Sequence, residues 1–542
     1  MFYRRNTCIC ICLLSVIIIF PVSKVYAEEM QANPPDNKAN TDGAGFNKLD
    51  IYEYLVKGNT VLTEEDIEGA IYPYLGQDKS PDDVDNARSA LEKLYQDKGY
   101  KTVQVLIPKQ TVKNGVVNLQ VMERRVGQLS VKGAKYTSVD RIKEQAPSFA
   151  EGNVPNFNEV NKDLITLNKS PDRRVSPALS SGSAPDTIDV ALAVDEDLPI
   201  HGSLELNNRQ SVGTTELRTS ANVSYNNLWQ RGHTISLSYQ IAPQNIDDSQ
   251  VIYGSYLAPI EDTRYSVLFN AIHTDSNVST LGGIETLGKG DIFGIRGIAS
   301  LRSTDTFNDS VAFGIDRKDF KQNIDLKGNV DRAPITYYPF SVTYTAAWRK
   351  PKSFTQGDLG LVFASRQLGD DLEKHDYSRP FSNGQQLALR FGLSNTYDFK
   401  NGIQLISNIK GQIADKPLLS YEQFSIGGVD TVRGYYESEV VGDYGVAGGF
   451  DLRSPTIFKK LIKDSFVDDL NVYGFLNAGS VHTKKAAKDT KSSSTISSTG
   501  LGLSFRVFKY VDGNVEWALP LQDGLNTREN DDRVLFQIKS SF

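Results

Sequence analysis

The residue types that could do chemistry are few in this chain, and they are dispersed. Five histidines, His201, His233, His273, His375 and His482, show no i, i+4 pair and no metal-ligand spacing. No nucleophile elbow and no phosphate-binding P-loop is present. The glycines of "GKGDIFG" at 288–294 have the wrong spacing for such a loop and read as a hairpin turn. The carboxylate pairs Asp247-Asp248 and Asp370-Asp371 lie in loop-like stretches and read as solvated turns. This pattern points away from an enzyme, and no metal or cofactor is expected. One stretch stands apart. "GGVDTVRGYYE", Gly427 to Glu437, sets a lone Arg433 among glycines, with Val432, Tyr435 and Tyr436 beside it. It reads as neither helix nor regular strand. What a rigid, glycine-bracketed arginine does there depends on the elements that surround it.

The N-terminus sets the compartment. Arg4 and Arg5 precede the apolar run "TCICICLLSVIIIFPVSKVYA", which is shorter than the ~20 residues of a membrane span and ends Val25-Tyr26-Ala27. Residues 1–27 read as a cleaved secretory signal peptide. Cys8, Cys10 and Cys12 are the only cysteines and all fall within it, so the mature chain has neither disulfides nor a thiol nucleophile. Removing Arg4, Arg5 and Lys24 leaves 56 basic against 66 acidic residues, and no basic block offers a nucleic-acid footprint. Past the signal no apolar run reaches 18 residues, so an exported chain of this kind is either soluble or a β-barrel.

Residues 28–48, broken by Pro34-Pro35, Gly43 and Gly45, read as a flexible leader. The next segment holds two small α+β modules. In the first, 49–124, "IYEYLVKGN" alternates as a strand, and Thr63 opens a helix with acids in its first turn. Ser80-Pro81-Asp82-Asp83 starts a second helix, and "TVQVLIP" and "GVVNLQVME" are strands. The β-α-α-β-β order recurs in 125–198, with helices over 138–148 and 157–168, an internal repeat.

From about His201 helix signals vanish and alternation takes over. Leu217, Thr219, Ala221, Val223 and Tyr225 share one face, and Arg218, Ser220, Asn222 and Ser224 the other. "HTISLSYQ", "QQLALRFGLS", "GLGLSFRVF" and the closing "RVLFQIKSSF" repeat the pattern. Segments of ~10 residues with one apolar and one polar face are the signature of a transmembrane β-barrel. At roughly 20 residues per strand, 199–542 gives about 16 strands. Long loops are expected at 320–335, 366–384, 481–499 and 521–532.

The chain resembles the outer-membrane transporters of two-partner secretion, the TpsB or FhaC/ShlB type. The resemblance is carried by "GYKTVQVLIPKQTVKNGVVNLQVMERRVGQLSVKG", by "LNKSPDRRVSPALSSGSAPDTIDVALAVDEDLPIHGSLELNN", by "FSIGGVDTVRGY" and by "GLGLSFRV…VEWALPL". It implies two POTRA modules, a barrel, and a hallmark loop folded back into the lumen. The loop tip would comprise Gly427, Gly428, Val432, Arg433, Gly434 and Tyr435, with Arg433 facing an inner-wall Phe-x-Asp-x-Gly motif. Here that motif reads Phe475-Leu476-Asn477-Ala478-Gly479. Because Asn477 replaces the family aspartate, a weaker latch is expected, or a second acid, for which Asp451 is a candidate. Some family members thread an N-terminal plug helix through the barrel. A helix crossing ~30 Å needs about 20 residues, so the leader here leaves no linker, and no full plug helix is expected.

The implied function is export of one large partner exoprotein, a haemolysin, adhesin or contact-dependent toxin. The POTRA modules would bind its N-proximal secretion domain, and the barrel would conduct the unfolded chain without ATP. The remaining expected partners are outer-membrane lipid and the barrel-assembly machinery, with the chain itself a monomer and no nucleic acid bound. A barrel-assembly or insertion factor of the same superfamily, and a diffusion porin, are the alternatives.

Overall fold

The computed structural model describes residues 48–276, 278–281, 284–326, 329–457, 467–486 and 491–542. The expected signal peptide, and the leader up to residue 47 with the plug-helix question, lie outside them. The described chain forms two compact units that meet in sequence at Pro199 and Ile200.

The first unit contains the two repeated modules. In the first, β1 (Leu49–Ile51) pairs with β3 (Gly76–Lys79), and β2 (Glu53–Lys57) lies parallel to β5 (Val116–Met122), which is flanked antiparallel by β4 (Gln104–Leu106). The single strand expected over "IYEYLVKGN" is thus split at Tyr52, whose N–H turns aside to the Gly115 carbonyl at 2.9 Å. Helix α1 (Glu64–Ile71) starts where the Thr63 hydroxyl accepts from the Asp66 N–H. Helix α2 (Pro81–Asp97) starts at a complete Ser80/Asp83 capping box with proline inside the first turn. Val84, Ala87, Leu91 and Tyr95 recur at helical spacing and are buried against the sheet. In the second module β6 (Arg125–Lys132) lies parallel to β8 (Thr187–Glu196), flanked antiparallel by β7 (Arg173–Ser181), with α3 (Val139–Glu144) and α4 (Phe157–Leu167) packed over a separate core.

The repeat extends to single atoms. Gly58 after β2 and Gly133 after β6 sit at φ +87° and +89°. A Cβ there would lie 2.4 Å from the Val121 carbonyl oxygen and 2.3 Å from that of Val194 respectively. Two residues beyond each valine stands a buried glutamate. Glu123 accepts from the Thr60 N–H at 2.7 Å and the Val61 N–H at 3.2 Å. Glu196 accepts from Lys135 and Tyr136 N–H, both at 2.7 Å, and from Thr137 N–H at 3.2 Å. Each module therefore closes a strand-to-helix loop, after β2 or after β6, with a carboxylate at or just past the end of its last strand, β5 or β8. Burial alone would raise the Glu196 carboxyl, but the hydrogen bonds from Thr137, Tyr136 and Lys135 outweigh it and hold the group below the usual carboxylate range.

The second unit is a closed antiparallel barrel of 16 strands. The chain runs through β9 (Ile200–Asn207), β10 (Arg218–Leu228), β11 (His233–Ile241), β12 (Ser249–Pro259) and β13 (Tyr265–Ser276). A small hairpin of β14 (Val278–Leu281) and β15 (Ile284–Leu287) precedes β16 (Lys289–Ser303), β17 (Phe307–Leu326), β18 (Asn329–Lys350) and β19 (Ser353–Gly369). After helix α5 (Leu372–Ser378) come β20 (Gln386–Asp398) and β21 (Gln404–Ala414), then a short pair, β22 (Phe424–Ile426) and β23 (Val440–Gly442). The wall resumes with β24 (Tyr444–Arg453), β25 (Val467–His482), β26 (Ser493–Val507), β27 (Val511–Pro520) and β28 (Arg533–Ser541). β28 pairs back onto β9 from Gln537↔Asn207 to Ser541↔Ser203. Phe542 and Gly202 then exchange backbone hydrogen bonds of 3.1 and 3.2 Å, and the terminal ring lies where a Cβ on Gly202 would have to be.

The barrel is apolar outside and polar inside. Val223, Leu237, Leu387, Leu393 and Leu501 are exposed, while Ser238, Gln240, Asn270, Thr274 and Ser504 are buried in the lumen. No described helix is long and apolar enough to cross a membrane, and the crossing is made by strands whose ladder closes without a free edge.

Besides the strand split at Tyr52, four expectations are corrected. The glycines of 288–294 run into β16 from Lys289 rather than forming a hairpin turn. Helix does occur beyond His201, as α5, capped by the Asp371 side chain accepting from the Lys374 N–H. Its partner Asp370 accepts from the Thr336 N–H at 2.8 Å and from Lys374, so the pair is a folded cap rather than a solvated turn. The loop expected at 320–335 is instead taken up by β17 and β18, which run on as a long hairpin. Polarity misled there because strands that continue past the lipid need no apolar face.

Candidate functional site

The connection from β21 to β24, residues 415–443, folds into the lumen. β22 and β23 pair to form its neck, from Phe424↔Gly442 to Ile426↔Val440. Between them the chain turns through Gly427 and Gly434, at φ +107° and +91°. A Cβ on Gly427 would lie 2.6 Å from the Tyr436 carbonyl oxygen, and one on Gly434 would press on Ala518 and Pro520 of the wall. Val432 and Tyr435 are buried, packed with Ile426 against Ala447, Val481 and Ile496. Gly428 is buried beneath Glu437, and the Tyr435 hydroxyl lies 2.7 Å from the Gln522 carbonyl oxygen.

Arg433 sits at the centre. Its Nε donates to Asn477 Oδ1 at 2.8 Å. Both Nη atoms donate to Asp451, Nη1 at 3.2 Å to Oδ2 and Nη2 to Oδ1. Nη1 also donates to Glu516 Oε1 at 3.0 Å, the same oxygen that accepts from the Tyr473 hydroxyl at 2.6 Å. The Phe475 ring lies under the guanidinium, 3.7 Å from its centroid to Cζ. One cation therefore meets two carboxylates, one amide and one π face in a buried site. Burying that charge would be costly without such partners.

The wall explains the spacing of Phe475, Asn477 and Gly479. Alternate residues of β25 face the lumen: Tyr473, Phe475 and Asn477 are buried, while Val472 and Leu476 are exposed. Each inward side chain crosses a glycine on a neighbouring strand. Tyr473 lies over Gly502, Phe475 over Gly500, and Asn477 over Gly449. Gly479 itself leaves room for Val432 and Ile426 of the loop, whose methyls would lie 3.3 and 3.1 Å from an added Cβ. Thus Phe475 supplies the ring, Asn477 the acceptor and Gly479 the socket.

Arg433, Asn477 and Asp451 are brought together, and Asn477 does not stand alone. The acid opposite β25 that sequence reasoning missed is Glu516. The signal was available: in "VEWALP" it alternates with outward Val515 and Trp517, so it must face the lumen. Also missed were the anchors on either side of the tip. Glu422 is fully buried and accepts from Lys318 Nζ at 2.5 Å, Tyr337 Oη at 2.8 Å and Arg390 Nη2 at 2.8 Å. Glu439 takes the Thr527 N–H at 2.9 Å and its hydroxyl at 3.1 Å, and Arg209 reaches Asp430 at 3.3 Å.

Residues 186–505 match the family model described as haemolysin secretion/activation protein ShlB/FhaC/HecB, and residues 49–124 match the ShlB-type POTRA domain. The heme/hemopexin transporter protein HuxB of Haemophilus influenzae is 21% identical over 503 residues, covering 90% of this chain and 86% of its own. The outer membrane transporter CdiB of Escherichia coli is 26% identical over 195 residues, 36% of this chain and 32% of its own. Among solved structures, CdiB from Escherichia coli superposes with a TM-score of 0.63 at 18% identity, covering 94% of this chain and 93% of that one. BamA from Haemophilus ducreyi lacking POTRA domains 1–3 gives 0.56 at 12% identity, over 92% and 100%, a likeness of fold. The chain belongs to the haemolysin secretion/activation family ShlB/FhaC/HecB, the two-partner secretion transporters of the outer membrane, whose POTRA modules stand in the periplasm.

Proposed function

We propose that this chain exports one large partner exoprotein, with the 427–437 loop as a plug held by Arg433. The observation that carries the reading is the plug itself: a buried cation on a loop, shared by Asp451, Glu516 and Asn477 of the wall. A porin has no need of two modules ahead of the barrel, and conduction rather than catalysis accounts for the polar lumen. The modules offer sheet-edge strands, β4 and β7, on which the partner's secretion domain can add a strand in extended form. The polar lumen then carries the unfolded chain outward, and folding outside favours that direction. The partner is a haemolysin, an adhesin, a contact-dependent toxin or, as the name of HuxB suggests, a heme- or hemopexin-handling exoprotein. The transporter works as a monomer, inserted by the barrel-assembly machinery and seated in outer-membrane lipid. Deleting residues 49–197 tests the reading. A secretor loses one exoprotein from the surface; general loss of other outer-membrane proteins would mark an insertion factor, and unchanged solute flux with normal secretion would mark a porin.

A further inference from the structure

Another charge pair outside the Arg433 site has a buried carboxylate and a partly buried guanidinium. Asp443, between β23 and β24, is wholly buried. Its Oδ1 accepts from Arg379 Nη1 at 2.6 Å and from the Leu418 N–H at 2.8 Å. Its Oδ2 accepts from Arg379 Nη2 at 2.7 Å and from the Lys484 N–H at 2.6 Å. Arg379 follows α5, and it also donates to the Leu418 carbonyl oxygen. One guanidinium thus joins the start of the lumenal loop at Leu418 to its end at Asp443. Through Asp443 it also holds the connection between β25 and β26.

These three connections share one end of the barrel. The opposite ends are joined by short turns, such as 229–232, 304–306 and 508–510. Short turns mark the periplasmic side, so the Arg379 pair sits at the outer mouth. The tip latch lies deeper, on strand interiors. The two sites share no residue. Helix α5 is a fitted part rather than a loose loop. His375 and Ser378 are buried, and the His375 ring stands edge-on to Tyr337, 6.4 Å between centroids. Tyr337 in turn holds Glu422 of the same lumenal loop.

We infer that Arg379 is a positioning residue of the translocation path. It clasps the neck of the lumenal loop from outside, so for the loop to leave the lumen Arg379–Asp443 must part as well as the Arg433 latch and the Glu422, Asp430 and Glu439 anchors. The inference rests on the reading of 427–437 as a plug. Its physical basis is that removing Arg379 strands the buried Asp443 carboxylate without its bidentate partner, which disfavours the closed state. Arg379→Lys keeps the charge but loses the two-pronged geometry and should fall between the wild type and Arg379→Ala.

The test uses the full-length protein in planar bilayers, with heat-modifiable gel mobility as the folding control. The fraction of time in the high-conductance state is read for Arg379→Ala, Arg379→Lys, Asp443→Asn, Arg433→Ala and the double alanine variant. Each single alanine variant should raise the open:closed ratio about tenfold, and the double about a hundredfold if the clamps act independently. An unchanged Arg379→Ala beside an opened Arg433→Ala overturns the clasp. A double variant no more open than Arg433→Ala overturns it too. An unchanged Arg433→Ala overturns the tip-latch reading instead, so the two failures are distinguishable. Should Arg379→Ala not fold, Arg379→Lys and Asp443→Asn carry the same comparison. Because the mature chain is free of cysteine, Val429→Cys gives a second readout. Its modification by a membrane-impermeant thiol reagent should quicken in the Arg379→Lys background, and an unchanged rate counts against the clasp.

Discussion

Arg433 reaches Asp451 through both Nη atoms while its Nε turns to Asn477, so the forked contact goes to β24 and the single contact to β25. The carboxylate that an aspartate at 477 would have supplied stands instead at Asp451. Asp451→Asn removes the charge from the forked pair and should loosen the loop, raising channel open time in planar bilayers. Asn477→Asp adds a third carboxylate around one cation. It should leave the loop no tighter than wild type, and a clearly more closed channel would refute this account.

Gly479 separates shape from charge. Its absent side chain is the space filled by Val432 and Ile426. Gly479→Val should lift the tip off the wall although every ion-pairing group remains, opening the channel about as much as Arg433→Ala. Gly479→Ala, whose contacts of 3.1–3.3 Å call for shifts of a few tenths of an ångström, should open it less. Equal conductance in Gly479→Val and wild type would show that the socket is not needed.

The lowered Glu196 carboxyl predicts that the second module loses stability in acid. Its carboxyl is held below its ordinary value of 4.5 in the folded state. The stabilisation is therefore complete above that ordinary value and is lost as pH falls through the folded value. Urea unfolding of residues 49–198, followed from neutral pH downward, should show a decline below about pH 5 that flattens in Glu196→Gln. At neutral pH the same change should cost roughly 1–3 kcal/mol, the worth of charge-assisted hydrogen bonds left to a neutral group. A decline of equal slope in Glu196→Gln would assign the acid sensitivity elsewhere.

Phe542 covers Gly202 at the seam where β28 meets β9 over five paired positions, fewer than any other pair of neighbouring barrel strands. Phe542→Ala should lower the temperature at which the barrel loses its heat-modifiable gel mobility. Substituting Phe536 on the same outward face, away from the seam glycine, should lower it less. Equal shifts would show that the ring contributes only generic apolar area.

The barrel was legible because lipid outside and water inside impose alternation on every strand, as in "HTISLSYQ" or "GLGLSFRVF". The helix starts at Thr63 and Ser80 were legible because capping is local. The latch was legible only in part. Alternation along β25 gives the inward face of Phe475 and Asn477, but Glu516 lies 83 residues from Arg433 and meets it only because the barrel closes. α5 was hidden because seven residues carry too little periodicity to stand out among turns. Tyr52 broke a strand that alternation alone would continue, through a backbone bond to Gly115 that no local pattern announces.

Four charges along the lumenal loop each meet an opposite charge outside it. Glu422, Asp430 and Asp443 bring negative charge to Lys318 and Arg390, to Arg209 and to Arg379, while Arg433 between them brings positive charge to Asp451 and Glu516. A loop returning to the lumen one step out of place would set acid beside acid or base beside base. The seated position gives each of these four loop charges an opposite partner. Sign matching of this kind favours one seat for the loop over its neighbours.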